Sequence, residues 1–189
     1  MPSAPSMTAI VAATLTNGIG LNGTLPWRLP GEMKYFARGE DASHSNAVIM
    51  GRKTWDGIPP KFRPLKSRHN VVISRNGVDV TDCPNTTAHS SVSSALTSLP
   101  ASIHRIFLIG GSQLYSLALT PPSLVDRVLL TRIIDEFSCD TFLDDFTSRK
   151  EWHRSTHAEL CEWVGWAVPE GEVEEKGVRY RYEMWVLRT

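Results

Sequence analysis

Three glycine-bearing stretches of this 189-residue chain could meet a phosphate, and one carboxylate stands where it could meet a heterocycle. The first stretch, Gly18 to Gly23 (G-I-G-L-N-G), follows the apolar run "MTAIVAAT" and matches the G-x-G-x-x-G spelling of a dinucleotide turn. That turn needs its third glycine to open a helix and an acid to end the second strand. Here Gly23 is followed by Thr24, Leu25, Pro26 and Trp27, then Pro30. Proline removes an amide donor and restricts the residue before it, so a helix from Gly20 or Gly23 would break within a turn. Glu40 and Asp41 precede the next apolar run instead of ending it. The stretch therefore reads as a surface loop with glycines at positive φ, or as a glycine-hinged loop that closes over a site.

The other two stretches suit an anion better. In "VIMGRKTW" (48–55) a buried strand ends in Gly51, and the chain turns into a short helix at Lys53 or Thr54, beside Arg52. In "FLIGGSQLY" (107–115) the order is again strand, glycines, helix, with Gly110 and Gly111 letting a ligand approach the backbone. Free amides at a helix start, flanked by cations, hold a pyrophosphate. Either turn alone is also an ordinary strand-to-helix connection. Charge separates the readings. From Gly51 to Asn76 there are Arg52, Lys53, Lys61, Arg63, Lys66, Arg68 and Arg75 against Asp56, a local +6 in a chain of formal net charge zero. Ser74 and Arg75 close the strand "VVISR", a pair that suits the 2′-phosphate distinguishing NADP from NAD. Nucleic acid could also use this basic stretch, but "IPPKFRPL" interrupts it and few aromatics interleave it.

Glu32 begins "EMKYF", with Phe36 one turn on and Met33 beside it. Near a helix N-terminus a glutamate is commonly solvated and favoured by the dipole. Buried, it would need a donor-rich partner, such as an amidine-like heterocycle offering two parallel N–H groups. His153, His157 and Cys161 recur at i, i+4 and i+8 and could bind zinc on a helix. On a strand the two histidines would stand about 13 Å apart, too far for one metal.

These residues need a scaffold. β-Branched apolar runs at 7–13, 46–50, 70–74, 105–109 and 126–133 suit strands buried on both faces. Helix candidates lie between them, at 31–39 behind Pro30, at 90–99 and at 111–120 behind capping serines. In 177–187 apolar and charged residues alternate, which predicts an antiparallel strand, with 163–168 as its hairpin partner and "GEVEEKG" as a charged loop. The fold class that follows is α/β in a single domain: a central, mainly parallel mixed sheet flanked by helices and closed by an antiparallel C-terminal edge. The domain is taken as residues 1–189, with 1–6 flexible. The three cysteines are sparse and far apart, as free thiols in a reducing compartment would be. The sequence shows neither a secretory signal nor an apolar run of the roughly 20 residues that span a bilayer.

In order, "IVAATLTNGIGLNGTLPWRLPGEMKYF", "VIMGRKTWDGIPPKFRPLKSRHNVVISR", "IFLIGGSQLY", "LLTRI" with "CDTFL", and "EEKGVRYRYEMWVL" resemble the dihydrofolate reductase family, in its longer eukaryotic form and with a fungal type as candidate. The resemblance implies hydride transfer from NADPH to C6 of dihydrofolate, with the N5 proton arriving through water. It implies that Glu32 binds the pterin, bonded by Thr131, while Trp27 and Leu25 hold an ordered water and shape the loop above. Ile10, Val11, Met33, Phe36, Ile58, Phe62 and Leu65 would line the substrate slot, Arg68 would pair with the substrate's α-carboxylate, and Tyr115 would touch both ligands. Ala12, Ile19, Ile109 and Gly110 would flank the nicotinamide, with Gly20 and Gly23 in the loop above it. Gly51, Arg52, Lys53 and Thr54 would take the pyrophosphate from one side and Gly111, Ser112, Gln113 and Leu114 from the other. Ser74 and Arg75 would hold the 2′-phosphate, where His89 and Ser90 replace a further arginine of vertebrate members. The family implies a cis peptide at Gly110–Gly111. It also implies a cytoplasmic monomer acting on a small molecule, open to antifolate inhibitors, with no metal, nucleic acid or membrane partner. A riboflavin-pathway reductase of the same fold is the nearest rival, and Glu32 together with Arg68 argues against it.

Overall fold

In the computed structural model residues 6–38 and 45–188 are described; residues 1–5, Glu40, Asp41 and the Phe36 side chain lie outside that description. The run Met7–Thr14 is almost wholly buried and forms β1 at the centre of the sheet. In chain order there follow β2 (Gly18–Gly20), α1 (Pro30–Arg38), β3 (Asn46–Gly51), α2 (Arg52–Gly57) and a single 3-10 turn at Pro60–Phe62. Next come β4 (Arg68–Ile73), β5 (Thr86–His89), α3 (Val92–Ser98), β6 (Ile106–Leu108), α4 (Ser112–Leu119) and β7 (Val125–Ile133). The chain ends with β8 (Thr141–Phe142), β9 (Trp152–Arg154), α5 (His157–Val164), β10 (Val173–Glu175) and β11 (Val178–Leu187).

Among the described residues nine strands form the main sheet, in the order β10-β11-β7-β1-β6-β3-β4-β5, with β9 also on β11. The pairs from β7 to β5 are parallel, and those made by β11 are antiparallel. The period of two divides the core across the sheet. Met7, Ala9, Val11, Ala47, Ile49, Val128 and Leu130 pack with α3 and α4 on one face. Ile10, Val48, Met50 and Leu129 pack with Tyr35 of α1, Trp55 of α2 and Leu160 of α5 on the other. Truncating a core leucine such as Leu108 would cost about 2–5 kcal/mol. Among the described residues no helix is long and apolar enough to cross a membrane.

Two readings of the C-terminal third are corrected. The stretch 163–168 is not a strand: a capping box between Thr156 and Glu159 starts α5, and left-handed Gly165 ends it at Val164. The hairpin arm lies inside the charged "GEVEEKG" segment, as β10, joined to β11 through Lys176 and Gly177 at φ 51° and 75°. Both values suit a two-residue hairpin turn. The 153–161 segment is a strand only through Arg154, so His153 lies on β9 while His157 and Cys161 share α5. There the His157 ring also meets the Val168 carbonyl at 2.8 Å. Among the described residues no group of three or more His, Cys, Asp or Glu side chains could hold a metal ion.

Candidate active site

Adjacent strands β3 and β6 send their following helices in opposite directions, α2 toward β4 and α4 across β1 toward β7. A crevice opens outside the carboxyl ends of strands where connections diverge in this way. Its floor is the Gly51 N–H donating to the Gly110 carbonyl at 2.8 Å. The Gly110–Gly111 peptide is cis, and Gly110 has φ 118°. A Cβ on Gly110 would make only ordinary contacts, 3.4 Å from the Tyr115 ring and 3.5 Å from Thr54 Oγ1, so it is the backbone conformation that asks for glycine. Helices α2 and α4 open on Gly51 and Gly111 without a side-chain cap. Arg52, Lys53 and Gln113 are exposed beside these helix starts, Ser112 is half-buried, and Leu114 lies against Gly51. Ile109 closes the second core face.

Tyr115 joins this crevice to a second group of buried polar side chains. Its hydroxyl donates to the Ile10 carbonyl on β1 at 2.7 Å, and burial first, then the charge of Glu32, pushes its pKa upward. Glu32 is 7% exposed, and the Thr131 hydroxyl donates to its Oε1 at 3.3 Å. Thr131 on β7 is in register with Ala12 on β1, next to Val11. Desolvation pushes the Glu32 carboxyl up to about 7; the Thr131 bond opposes the shift and the charge of Glu175 adds to it. Trp27 is buried against the edge of Phe137, centroids 5.6 Å apart, and its indole N–H meets no acceptor among the described residues. Leu25, Met33 and Phe62 are apolar yet 54%, 61% and 58% exposed. Ile58 and Leu65 are half-buried against the second core face, and Arg68 opens β4 with its Nε donating to the Lys66 carbonyl.

The structure does not gather every candidate equally. Ser74 lies one residue past the end of β4 at Ile73, not in the strand as expected, and its hydroxyl donates to the Gly77 carbonyl at 2.9 Å, while Arg75 is exposed beside it. His89 pairs with Ser98 at 3.1 Å, and the neighbouring His69 pairs with Thr87 at 3.1 Å, its pKa lowered by burial and then by His89. The glycine loop differs from its reading as a surface loop of positive-φ glycines. Gly18 and Gly20 sit in β2, paired with β8, and of the loop's three glycines only Gly23 has positive φ. A Cβ on Gly18 would strike Cys139 Sγ at 2.5 Å, so this glycine serves close packing. Ile19 packs against the first core face.

Sequence reasoning missed several groups. Arg132, one residue beyond Thr131, donates to the Thr14 carbonyl and to Asn17 Oδ1 at 2.7 and 2.9 Å, anchoring the loop after β1. Tyr35 and Tyr182 stack with centroids 4.1 Å apart near Glu32, and Glu175 caps α1. The alternation of 177–187 could have placed Tyr182 on an inward face, but no local pattern announces Arg132 or Glu175.

The sequence profile of the family described as dihydrofolate reductase matches residues 6–162. The chain is 50% identical to a dihydrofolate reductase of Cryptococcus neoformans, covering 98% of this chain and 96% of that protein. It is 42% identical to the enzyme of that name from Pneumocystis carinii, over 95% and 96% of the two chains, and 38% identical to one from Candida albicans, over 98% and 100%. The chain belongs to the dihydrofolate reductase family, and it is a reductase of the fungal type.

Proposed function

We propose that this enzyme reduces 7,8-dihydrofolate to 5,6,7,8-tetrahydrofolate with NADPH, as one catalytic domain working as a cytoplasmic monomer and feeding one-carbon and thymidylate chemistry. The observation that carries the reading is the buried Glu32–Thr131 pair, linked through Tyr115 to the glycine crevice. The residues fit NADPH. Two glycine-opened helix starts and the Arg52–Lys53 cations suit a pyrophosphate, and the Cβ-free backbone at Gly110 and Gly111 suits a flat ring. When bound, NADPH supplies the hydride.

Ionised, Glu32 accepts two parallel N–H bonds from the pterin 2-amino group and ring nitrogen, which fixes the ring's face toward the crevice. Its near-neutral pKa keeps both protonation states accessible at working pH. Water delivers the N5 proton, and the unpartnered Trp27 N–H, with Leu25, orders that water. Ile10, Val11, Met33, Phe36, Ile58, Phe62 and Leu65 wall the substrate, and Arg68 takes its α-carboxylate as a bidentate fork. Ala12, Ile19, Gly20, Gly23 and Ile109 border the nicotinamide, while Thr54 and Ser112–Leu114 complete the pyrophosphate grip. With the Ser74 hydroxyl committed to Gly77, Arg75 carries most of the 2′-phosphate contact.

The test is loss of NADPH absorbance on adding dihydrofolate, repeated with NADH and with an aminopyrimidine of the riboflavin pathway. Turnover with dihydrofolate, and a preference for NADPH that narrows in Arg75→Ala, is expected. Turnover of the aminopyrimidine alone would transfer the assignment to the rival reductase.

A further inference from the structure

Helix α1 begins Pro30-Gly31-Glu32 after Leu29, and neither Leu29 nor Pro30 brings a capping oxygen. Proline has no N–H, so the Gly31 amide is the first donor that the helix leaves open. That donor is met from 144 residues away: it donates to both oxygens of Glu175, at 3.0 and 2.9 Å. The Tyr180 hydroxyl donates to the same carboxylate at 3.3 Å. Glu175 ends β10 opposite Val178, across the tight Lys176–Gly177 turn, so its place is set by the hairpin. Gly31 makes the approach possible, since a Cβ there would lie 2.8 Å from Glu175 Oε2.

We propose that Glu175 is a positioning residue for the reaction: by gripping the first amide of α1, it sets where the Glu32 carboxyl stands in the cleft. The proposal rests on the role given to Glu32 above. Glu175 also acts through charge. It disfavours ionisation of Glu32 and offsets the positive end of the α1 dipole, which alone would favour the carboxylate. Among the described residues, the other titratable groups shifted by the charge of Glu32 are Tyr35 on α1, Tyr115 on α4, and Tyr180 and Tyr182 on β11, each phenol pushed upward first by burial and so neutral. Lys34 and Glu174 are the other charged groups lining the same cavity as Glu175.

The experiment is an isotope-edited infrared titration of Glu32 in the ligand-free enzyme, its band assigned by loss in Glu32→Gln. The variants are Glu175→Gln, which keeps an acceptor without charge, and Gly31→Ala, which pushes the carboxylate away. Both are expected to lower the Glu32 midpoint by about half a pH unit, and the pH profile of kcat/KM for dihydrofolate is expected to follow. Gly31→Ala is expected in addition to raise KM severalfold, because the helix start itself moves. A midpoint unmoved in both variants overturns the proposal and leaves Glu32's role standing. A midpoint that moves while the pH profile stays fixed overturns both.

Discussion

Helices α4 and α5 are both eight residues long, and they begin in opposite ways. At α5 the Thr156 hydroxyl accepts from the Glu159 amide and the Glu159 carboxylate accepts from the Thr156 amide, so two orphan donors are closed by side chains. At α4 the N-cap is Gly111, and no side chain closes the end. Gly111 has φ −89°, a backbone that serine would adopt equally well, so its dihedral does not call for glycine. The difference lies in location. Helix α5 packs on β11 and reaches the opposite end of the sheet from the crevice, where Arg105, just before β6, donates to its Trp163 carbonyl. Helix α4 starts at the crevice floor, where a capping oxygen would occupy the amides that an anion needs. Helix α1 is a third case, its first donor closed by a carboxylate from the C-terminal hairpin.

The largest effect that could break this contrast comes from closing α4. Gly111→Asp introduces a carboxylate where a Cβ meets only Thr54 Oγ1 at an ordinary 3.5 Å. NADPH affinity is expected to fall about a thousandfold, roughly 4 kcal/mol of like-charge cost, with the melting temperature held or raised. Isothermal titration reads it, and an unchanged Kd would remove α4 from the phosphate grip. A somewhat smaller effect concerns α1. Glu32 ionises near pH 7 in the fold against 4.5 for an ordinary glutamate, so its protonated form stabilises the fold and that contribution is lost as pH rises through 7. Glu32→Gln is therefore expected to gain roughly 3 kcal/mol at pH 8 and under about 1 kcal/mol at pH 5, measured as urea midpoints. A gain that fails to grow with pH would mean that Glu32 is not held out of water. The smallest effect is at α5: Thr156→Ala is expected to cost about 1 kcal/mol of stability and leave NADPH affinity unchanged.

The parallel strands were legible because burial on both faces writes continuous β-branched runs, as in "NAVIM" and "NVVIS". The hairpin arm was not. β10 is three residues, two of them glutamate and none fully buried, so it writes no pattern of its own. Trp163, Val164 and Trp166 look strand-like by composition, yet they belong to the end of a helix and the turn beyond it. The two strand–glycine–helix turns could be read because their strand, glycine and helix are neighbours in sequence. Glu175 and Arg132 could not, because each acts across more than a hundred residues on a backbone group that carries no sequence signal. The glycine loop was half legible: its prolines excluded a helix, but only the structure shows Gly18 and Gly20 paired with β8.

The central claim is that one buried carboxylate orients the pterin while the glycine crevice independently holds the cofactor. The measurement that tests it most directly is kcat/KM for dihydrofolate beside the Kd for NADPH in Glu32→Ala. The account predicts a loss of at least about a hundredfold in kcat/KM, some 2.7 kcal/mol of transition-state stabilisation, with the NADPH Kd unchanged. An unchanged kcat/KM in a folded variant would contradict it.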